Sequence, residues 1–343
     1  MSDTPLSIGA LLFSTPPVLT EDQVSDLALA NFGKSGVIKR LTSERDLNFR
    51  LTEAEGCSFV LKLANLAEPA SVTQFQTAAL LHLEAVAPEL PVPRVISTLG
   101  GATEVDLPGG VLRLLSFLEG VPLHLAHPTP ALRRAMGATG AALARGLRGF
   151  DHAAADHNLL WDIKQAERLD SLLASIPDAE LRRLARRCLD TFSAEVAHAL
   201  PRLRWQVVHC DLNPHNVLVD PANQNCIAGV LDFGDMVRTP LICDVAIAAS
   251  YQIDVAAPLD SLVDFTAAWH TVDPLLPAEL DQLFDLVATR MMTTLAITSW
   301  RAARYPENAA YILRNFPSAK AGLETFATLA RREVRSALHA ACP

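Results

Sequence analysis

Val207-Val208-His209-Cys210-Asp211-Leu212-Asn213-Pro214-His215-Asn216-Val217-Leu218-Val219, followed by Gly229-Val230-Leu231-Asp232-Phe233-Gly234-Asp235, decides how the rest of the chain reads. An aspartate is followed five residues later by an asparagine, and a second aspartate closes the next apolar run. Phosphoryl transfer calls for such a set. The reacting group leaves the protein little covalent chemistry, so catalysis rests on a carboxylate that orients the attacking hydroxyl and accepts its proton, and on Mg²⁺ held against the phosphates. Asp211 fits the base, and Asn216 and Asp232 fit the metal. Each half alone has a plain structural reading, a turn closed by an Asx cap or a bulge at Asp-Phe-Gly. In this order and together they favour chemistry. Val207-Val208, Val217–Val219 and Ile227–Leu231 read as short buried strands around a turn at Asp220-Pro221-Ala222-Asn223, which puts the polar groups at strand ends.

The pattern His-x-Asp-x-x-x-x-Asn, then Leu-Asp-Phe-Gly-Asp, resembles the aminoglycoside phosphotransferase and choline kinase superfamily, small-molecule relatives of the protein kinases. Ser43-Glu44-Arg45-Asp46-Leu47-Asn48-Phe49, Trp161-Asp162 and Gly234-Asp235-Met236 running on to Asp244 are similar to its branch of hydroxylysine and homoserine kinases. The resemblance implies an α+β, two-lobed protein-kinase-like fold: an N-lobe over 1–118 with an antiparallel sheet that binds nucleotide, and a mostly helical C-lobe over 119–343 with the catalytic and acceptor sites. It also implies ATP or GTP as donor and Mg²⁺ as cofactor.

Earlier in the chain, Thr20-Glu21-Asp22-Gln23 is a capping box and Gly33 a stop for the helix between them. Strands are expected at Val37–Leu41, Asn48–Leu51 and Phe59–Leu63, and a helix over 70–83. In the family pattern the turn at Ser43 and Arg45 covers the nucleotide phosphates, although no Gly-x-Gly-x-x-Gly is present. Lys62 steadies the phosphates from its strand. Its helix partner, ordinarily a glutamate, falls at Gln76, a departure that leaves an amide where a carboxylate is expected; Glu84, on the wrong face by helical spacing, is the alternative partner. Val111–Leu118 corresponds to the hinge, with backbone near Ser116 and Leu118 for the purine edge.

Past residue 118 the spacing turns helical, with apolar stripes at Leu132, Met136, Leu143 and Leu147 and at Leu181, Leu184, Cys188 and Leu189. The resemblance assigns Trp161, Asp162, Asp235 and Arg238 to the acceptor, and His209 and Asp244 to support of the catalytic loop. Asp244 interrupts the apolar run 241–251, a costly placement for a carboxylate without hydrogen bonds. Too few residues separate it from Asp232 for a protein-kinase activation loop, so a small acceptor is expected.

Composition bounds the rest. The 343 residues carry a formal charge of −9, which disfavours nucleic acid and anionic membranes as partners. Half the residues are hydrophobic, as in a globular chain. The apolar run at Ile8–Phe13 is too short and too acidic at its start for a signal peptide, and no run approaches the ~20 residues of a membrane span. A cytoplasmic location is expected. The six cysteines show no Cys-x-x-Cys pair and are expected as buried thiols. The sequence leaves the oligomeric state open. Its acceptor reading is a hydroxy-amino acid or small amine, with aminoglycosides, choline or ethanolamine as rivals and a nucleotide-binding pseudokinase as the alternative from another class.

Overall fold

The computed structural model describes residues 18–43 and 46–343, so Arg45 and the run at Ile8–Phe13 lie outside the described residues. The chain forms two compact units. One comprises residues 1–120, 152–158 and 228–234; the other comprises 121–151, 159–227 and 235–343.

The first unit opens with helix α1 (Glu21–Phe32), where Thr20 and Gln23 form the capping box and Gly33 closes the helix at φ 66°. Strands β1 (Val37–Leu41), β2 (Leu47–Thr52) and β3 (Ser58–Leu63) follow, then α2 (Ala70–Val86), β4 (Val95–Ile96), β5 (Val105–Leu107) and β6 (Gly110–Ser116). They make an antiparallel sheet in the order β1-β2-β3-β6-β4, with β5 on β6. Alternation gives the sheet two faces. Leu47, Phe49, Leu51, Leu61, Leu63, Leu112 and Leu114 form a core with Val24, Ala28 and Phe32 of α1. Each of the Leu, Val and Phe side chains contributes about 1.5–3 kcal/mol by leaving water. Lys62 stands directly opposite Arg113 in the β3–β6 register, a step out of phase with that core. The ladder therefore sets two cations side by side.

The second unit runs β7 (Val121–Pro122), α3 (Pro130–Gly146), α4 (Ala179–Thr191), β8 (Trp205–Val208) and β9 (Val217–Val219); β10 (Ile227–Val230) passes into the first unit. After it come β11 (Val237–Pro240), α5 (Leu241–Ser250), α6 (Pro258–Val272), α7 (Pro277–Arg304), α8 (Ala309–Ile312), α9 (Phe316–Phe326) and α10 (Arg331–Ala341). β11 pairs with β8, and β7 with β9, so the 209–216 loop hangs between two short paired strands. Helix α3 lies against α6, and α5 against α7. The first contact requires glycine: a Cβ at Gly137 would come 2.4 Å from the Phe265 carbonyl, and one at Gly140 2.5 Å from the Trp269 ring.

The α+β expectation, sheet first and helices after, is met. Among the described residues no helix is long and apolar enough to cross a membrane. The cysteine expectation needs correcting. Cys210, Cys243 and Cys342 are buried free thiols, but Cys57 and Cys226 are exposed because they sit on turns beside polar neighbours.

Candidate active site

In the 209–216 loop, short-range spacing does most of the positioning. Asp211 Oδ2 accepts from Asn213 Nδ2 at 2.9 Å and from Asn216 Nδ2 at 2.7 Å, and the Asp211 carbonyl accepts from Asn216 Nδ2 at 3.1 Å. Asn213 Oδ1 accepts from the His215 amide at 2.8 Å, so one asparagine closes the turn and also grips the aspartate. The loop is entered through Cys210 at φ 65°, a left-handed conformation that L residues with a Cβ rarely adopt. Asp244 Oδ1 accepts from the Cys210 amide at 2.8 Å, and Nδ1 of the fully buried His209 accepts from the Asp211 amide at 3.3 Å. Burial drives the Asp244 carboxyl up to about 6, against the opposing pull of His209 and the Cys210 amide.

Asp211 also receives a cation from far along the chain. Arg290, on α7, donates from Nη2 to Asp211 Oδ1 at 3.2 Å and to the Tyr251 hydroxyl at 3.0 Å.

In the first unit, Lys62 Nζ lies 2.9 Å from Asp46 Oδ2 and 3.7 Å from Asp232 Oδ1. Asp46 Oδ1 accepts from the Asn65 amide at 3.1 Å, which fixes the carboxylate from the loop after β3. Burial pulls the Lys62 ammonium down, but Asp46 and Asp232 outweigh it and hold it above the ordinary lysine value. Asp232 itself has φ 57° and accepts from the Gly234 amide at 3.2 Å. Its side chain is 51% exposed. The expectation for Gln76 is overturned: its Oε1 accepts from Arg113 Nη2 at 2.9 Å and its Nε2 donates to Glu68. Because Arg113 occupies the rung opposite Lys62, the helix amide serves the arginine and the lysine takes its carboxylate from Asp46.

The family model described as "Phosphotransferase enzyme family" matches residues 37–283. The chain belongs to that family. It is a small-molecule kinase, moving a phosphoryl group from a nucleotide to a hydroxyl. The hydroxylysine kinase of Mus musculus is 29% identical over 329 residues, covering 88% of this chain and 87% of that one. Two solved structures show the protein-kinase-like fold. An amicoumacin kinase in complex with AMP-PNP, Ca²⁺ and Ami has a TM-score of 0.68 at 14% identity, covering 92% of this chain and 97% of its own. A microcompartment-associated aminopropanol kinase has a TM-score of 0.66 at 18% identity, covering 93% and 99%.

The residues expected around the acceptor fare unequally in this phosphotransferase. Asp162 is 1% exposed; it caps the turn at Lys164, pairs with the Lys164 ammonium and accepts from the Thr239 hydroxyl at 3.0 Å. A carboxylate so enclosed holds the fold and does not reach a ligand, so its assignment as an acceptor contact is corrected. Arg238 sits on β11 opposite Val207, and its guanidinium is paired with Asp151. Asp235 is buried. Trp161 is half-buried, its carbonyl accepting from Arg290 Nη1 at 3.2 Å and its ring 5.1 Å from the guanidinium carbon.

At the end of β6, the Ser116 amide donates to the Arg94 carbonyl at 2.8 Å, which removes that N–H from any role toward a purine. Leu118 follows in irregular, half-buried chain, and Ser43 likewise lies in irregular chain after β1. Among the described residues no group of three or more His, Cys, Asp or Glu forms a metal cage. Mg²⁺ does not need one, because it keeps several waters and substrate oxygens and takes one or two protein ligands. Asp232 offers an accessible carboxylate, and the bonds from Asn216 Nδ2 to Asp211 leave the amide oxygen as the end of Asn216 that suits a cation. Each residue taken by itself offers an oxygen of the hard type that this ion takes.

Sequence reasoning missed Asp46 as a functional residue. The pairing of Asn48 with Lys62 across β2 and β3 is the signal that brings the residue just before β2 toward the ammonium. Arg290, a charge on the long helix expected over Leu283 to Trp300, was readable as a cleft-facing group, but its contact with Asp211 was not.

Proposed function

We propose that this chain phosphorylates the side-chain hydroxyl of a hydroxylated amino acid of the hydroxylysine type, with a Mg²⁺-bound nucleotide as donor. The reading is carried by the likeness to hydroxylysine kinase over nearly the full length of both chains. Asp211 orients the acceptor hydroxyl and takes its proton as the new oxygen–phosphorus bond forms and the bond to the nucleotide's bridging oxygen breaks. Lys62 steadies the phosphates, and Asn216 and Asp232 would supply oxygens to Mg²⁺, which would neutralise phosphate charge. The first unit takes the nucleotide and the second the acceptor.

A second reading, a simple amino alcohol as acceptor, is favoured by one observation: Arg238, the guanidinium available for an amino acid's carboxylate, already faces Asp151. Phosphoryl transfer measured against hydroxylysine, homoserine, aminopropanol, ethanolamine, choline and an aminoglycoside separates the readings. Hydroxylysine is expected to give the highest kcat/KM. Preference for aminopropanol overturns the amino-acid reading, and nucleotide binding without transfer to any acceptor marks a pseudokinase.

A further inference from the structure

Lys62 and Arg113 face each other across the β3–β6 ladder, on the side of the sheet away from the α1 core. Like charges directly opposite on a ladder repel. Arg113 is the more enclosed of the two: it is 2% exposed, and among the described residues its Nε is buried without a hydrogen-bond partner. Its fork grips one face of α2, donating from Nη1 to the Thr73 carbonyl and the Thr77 hydroxyl, each at 3.3 Å, and from Nη2 to Gln76 Oε1 at 2.9 Å. These acceptors are neutral. Carboxylates stand one step behind them: Glu68 accepts from the Thr73 hydroxyl at 3.3 Å and from Gln76 Nε2 at 3.4 Å, and Glu104 accepts from the Thr77 hydroxyl at 3.2 Å. A well-packed apolar side chain could hold α2 to the sheet without desolvating a charge. The buried cation therefore calls for a role beyond packing.

We propose that Arg113 is a positioning residue that directs the Lys62 ammonium to Asp46, by occupying the α2 amide and repelling the ammonium from it. Residues paired across a ladder point to the same face, so Lys62 and Arg113 compete for the acceptors that α2 presents there. Arg113 holds Gln76 Oε1, and the other end of that amide is bound to Glu68. The arginine is the better competitor, because its rigid fork of five donors reaches Thr73, Gln76 and Thr77 at once, whereas an ammonium is a point charge. Lys62 takes the Asp46 carboxylate at 2.9 Å, in the bend before β2, on the side of β3 away from β6. Arg113 and Gln76 together thus stand where the family pattern has a helix glutamate. Without Arg113, position 76 falls to Lys62, and a carboxylate placed there pairs with the ammonium.

The first arm of the test needs no substrate. Lys62→Met and Gln76→Glu are made singly and together in the full chain, once with Arg113 present and once with Arg113→Met, and urea midpoints are compared. With Arg113 present the two changes should add, because the new carboxylate meets the arginine. With Arg113→Met they should couple by about tenfold in the folding equilibrium constant, the scale for residues in contact. Additivity in both backgrounds, or equal coupling in both, overturns the proposal. The second arm rests on the kinase reading above and uses the best acceptor of the panel. Arg113→Met should raise the nucleotide KM about fivefold with kcat within about twofold, as the ammonium is drawn away from the phosphates. Arg113→Lys keeps the repelling charge without the fork, so it should hold that KM within about twofold of wild type while lowering the urea midpoint. Equal KM values in the two variants would make Arg113 a tether for α2 and overturn the steering role. If Arg113→Met does not fold, Arg113→Lys decides: a KM raised about fivefold overturns the proposal, and one near wild type upholds it. Absence of transfer to every acceptor removes the kinase reading, whereas absence of coupling in the first arm removes this one.

Discussion

Lys62 and Asp211 are both partly buried charges, yet they are held in different ways. Lys62 stands among full charges of opposite sign, with Asp46 at 2.9 Å and Asp232 at 3.7 Å. Asp211 is held by two neutral amides from its own loop and one guanidinium from α7. Coulombic attraction has little directional demand, so a carboxylate in the bend before a neighbouring strand can do the work of one on a helix, and the ammonium is served equally well. Hydrogen bonds from amides need exact placement. That demand fixes the spacing Asp-x-Asn-x-x-Asn within one turn, while the acid facing the lysine is free to move along the sequence.

The largest effect expected bears on the amide-held group. Asp211→Asn keeps the shape and removes proton acceptance, so turnover should fall by about 10²-fold or more while the nucleotide KM stays nearly unchanged. Steady-state kinetics with both substrates varied check this, and undiminished turnover would remove Asp211 as the base.

The charge-held group should respond through binding. Asp46→Asn takes away the carboxylate that fixes the Lys62 ammonium, and the nucleotide KM is expected to rise about tenfold, the scale of one charge-assisted contact. Gln76→Glu should leave that KM within about twofold, because the new carboxylate meets Arg113 and not Lys62. A fall in KM on Asp46→Asn would mean instead that Asp46 competes with the phosphates. A KM change in Gln76→Glu equal to that in Asp46→Asn would erase the distinction between the two partners.

The smallest effect concerns the support beneath Asp211. Asp244 titrates near 6 in the folded chain against an ordinary 3.8, so between those values the folded state binds the extra proton. Stability from this group is present at low pH and lost as pH rises through about 6. Asp244→Asn removes that slope: relative to wild type, the variant should gain stability between pH 4 and 6. Urea midpoints of both proteins across this range give the answer, and parallel curves would refute the burial-driven shift.

The same contrast explains what the sequence made legible. Asp211, Asn216 and the strands around them were readable because their contacts lie within a few residues of one another and depend on fixed spacing. The capping box at Thr20 and Gln23 was readable for the same reason. Asp162 misled because a Trp-Asp pair in a connector looks like an exposed wall, whereas its carboxylate turns inward to Lys164 and Thr239. Gln76 misled because the register that sets Arg113 beside Lys62 is a property of two strands whose paired residues lie 51 positions apart in the chain. Arg290 meets Asp211 across 79 residues, and no local pattern announces such a contact.

Asp232 exposes a conflict between two kinds of selection. At φ 57° a glycine would sit there without steric penalty, so a population screened for heat resistance alone would drift toward glycine at this position, gaining about 1 kcal/mol. Aspartate tolerates the conformation partly because its own side chain accepts from the Gly234 amide. The drift would discard the carboxylate beside Lys62, so the easiest stabilising step at this turn is also a disarming one. A thermostabilisation programme on this chain should hold residue 232 fixed and look for its gains elsewhere.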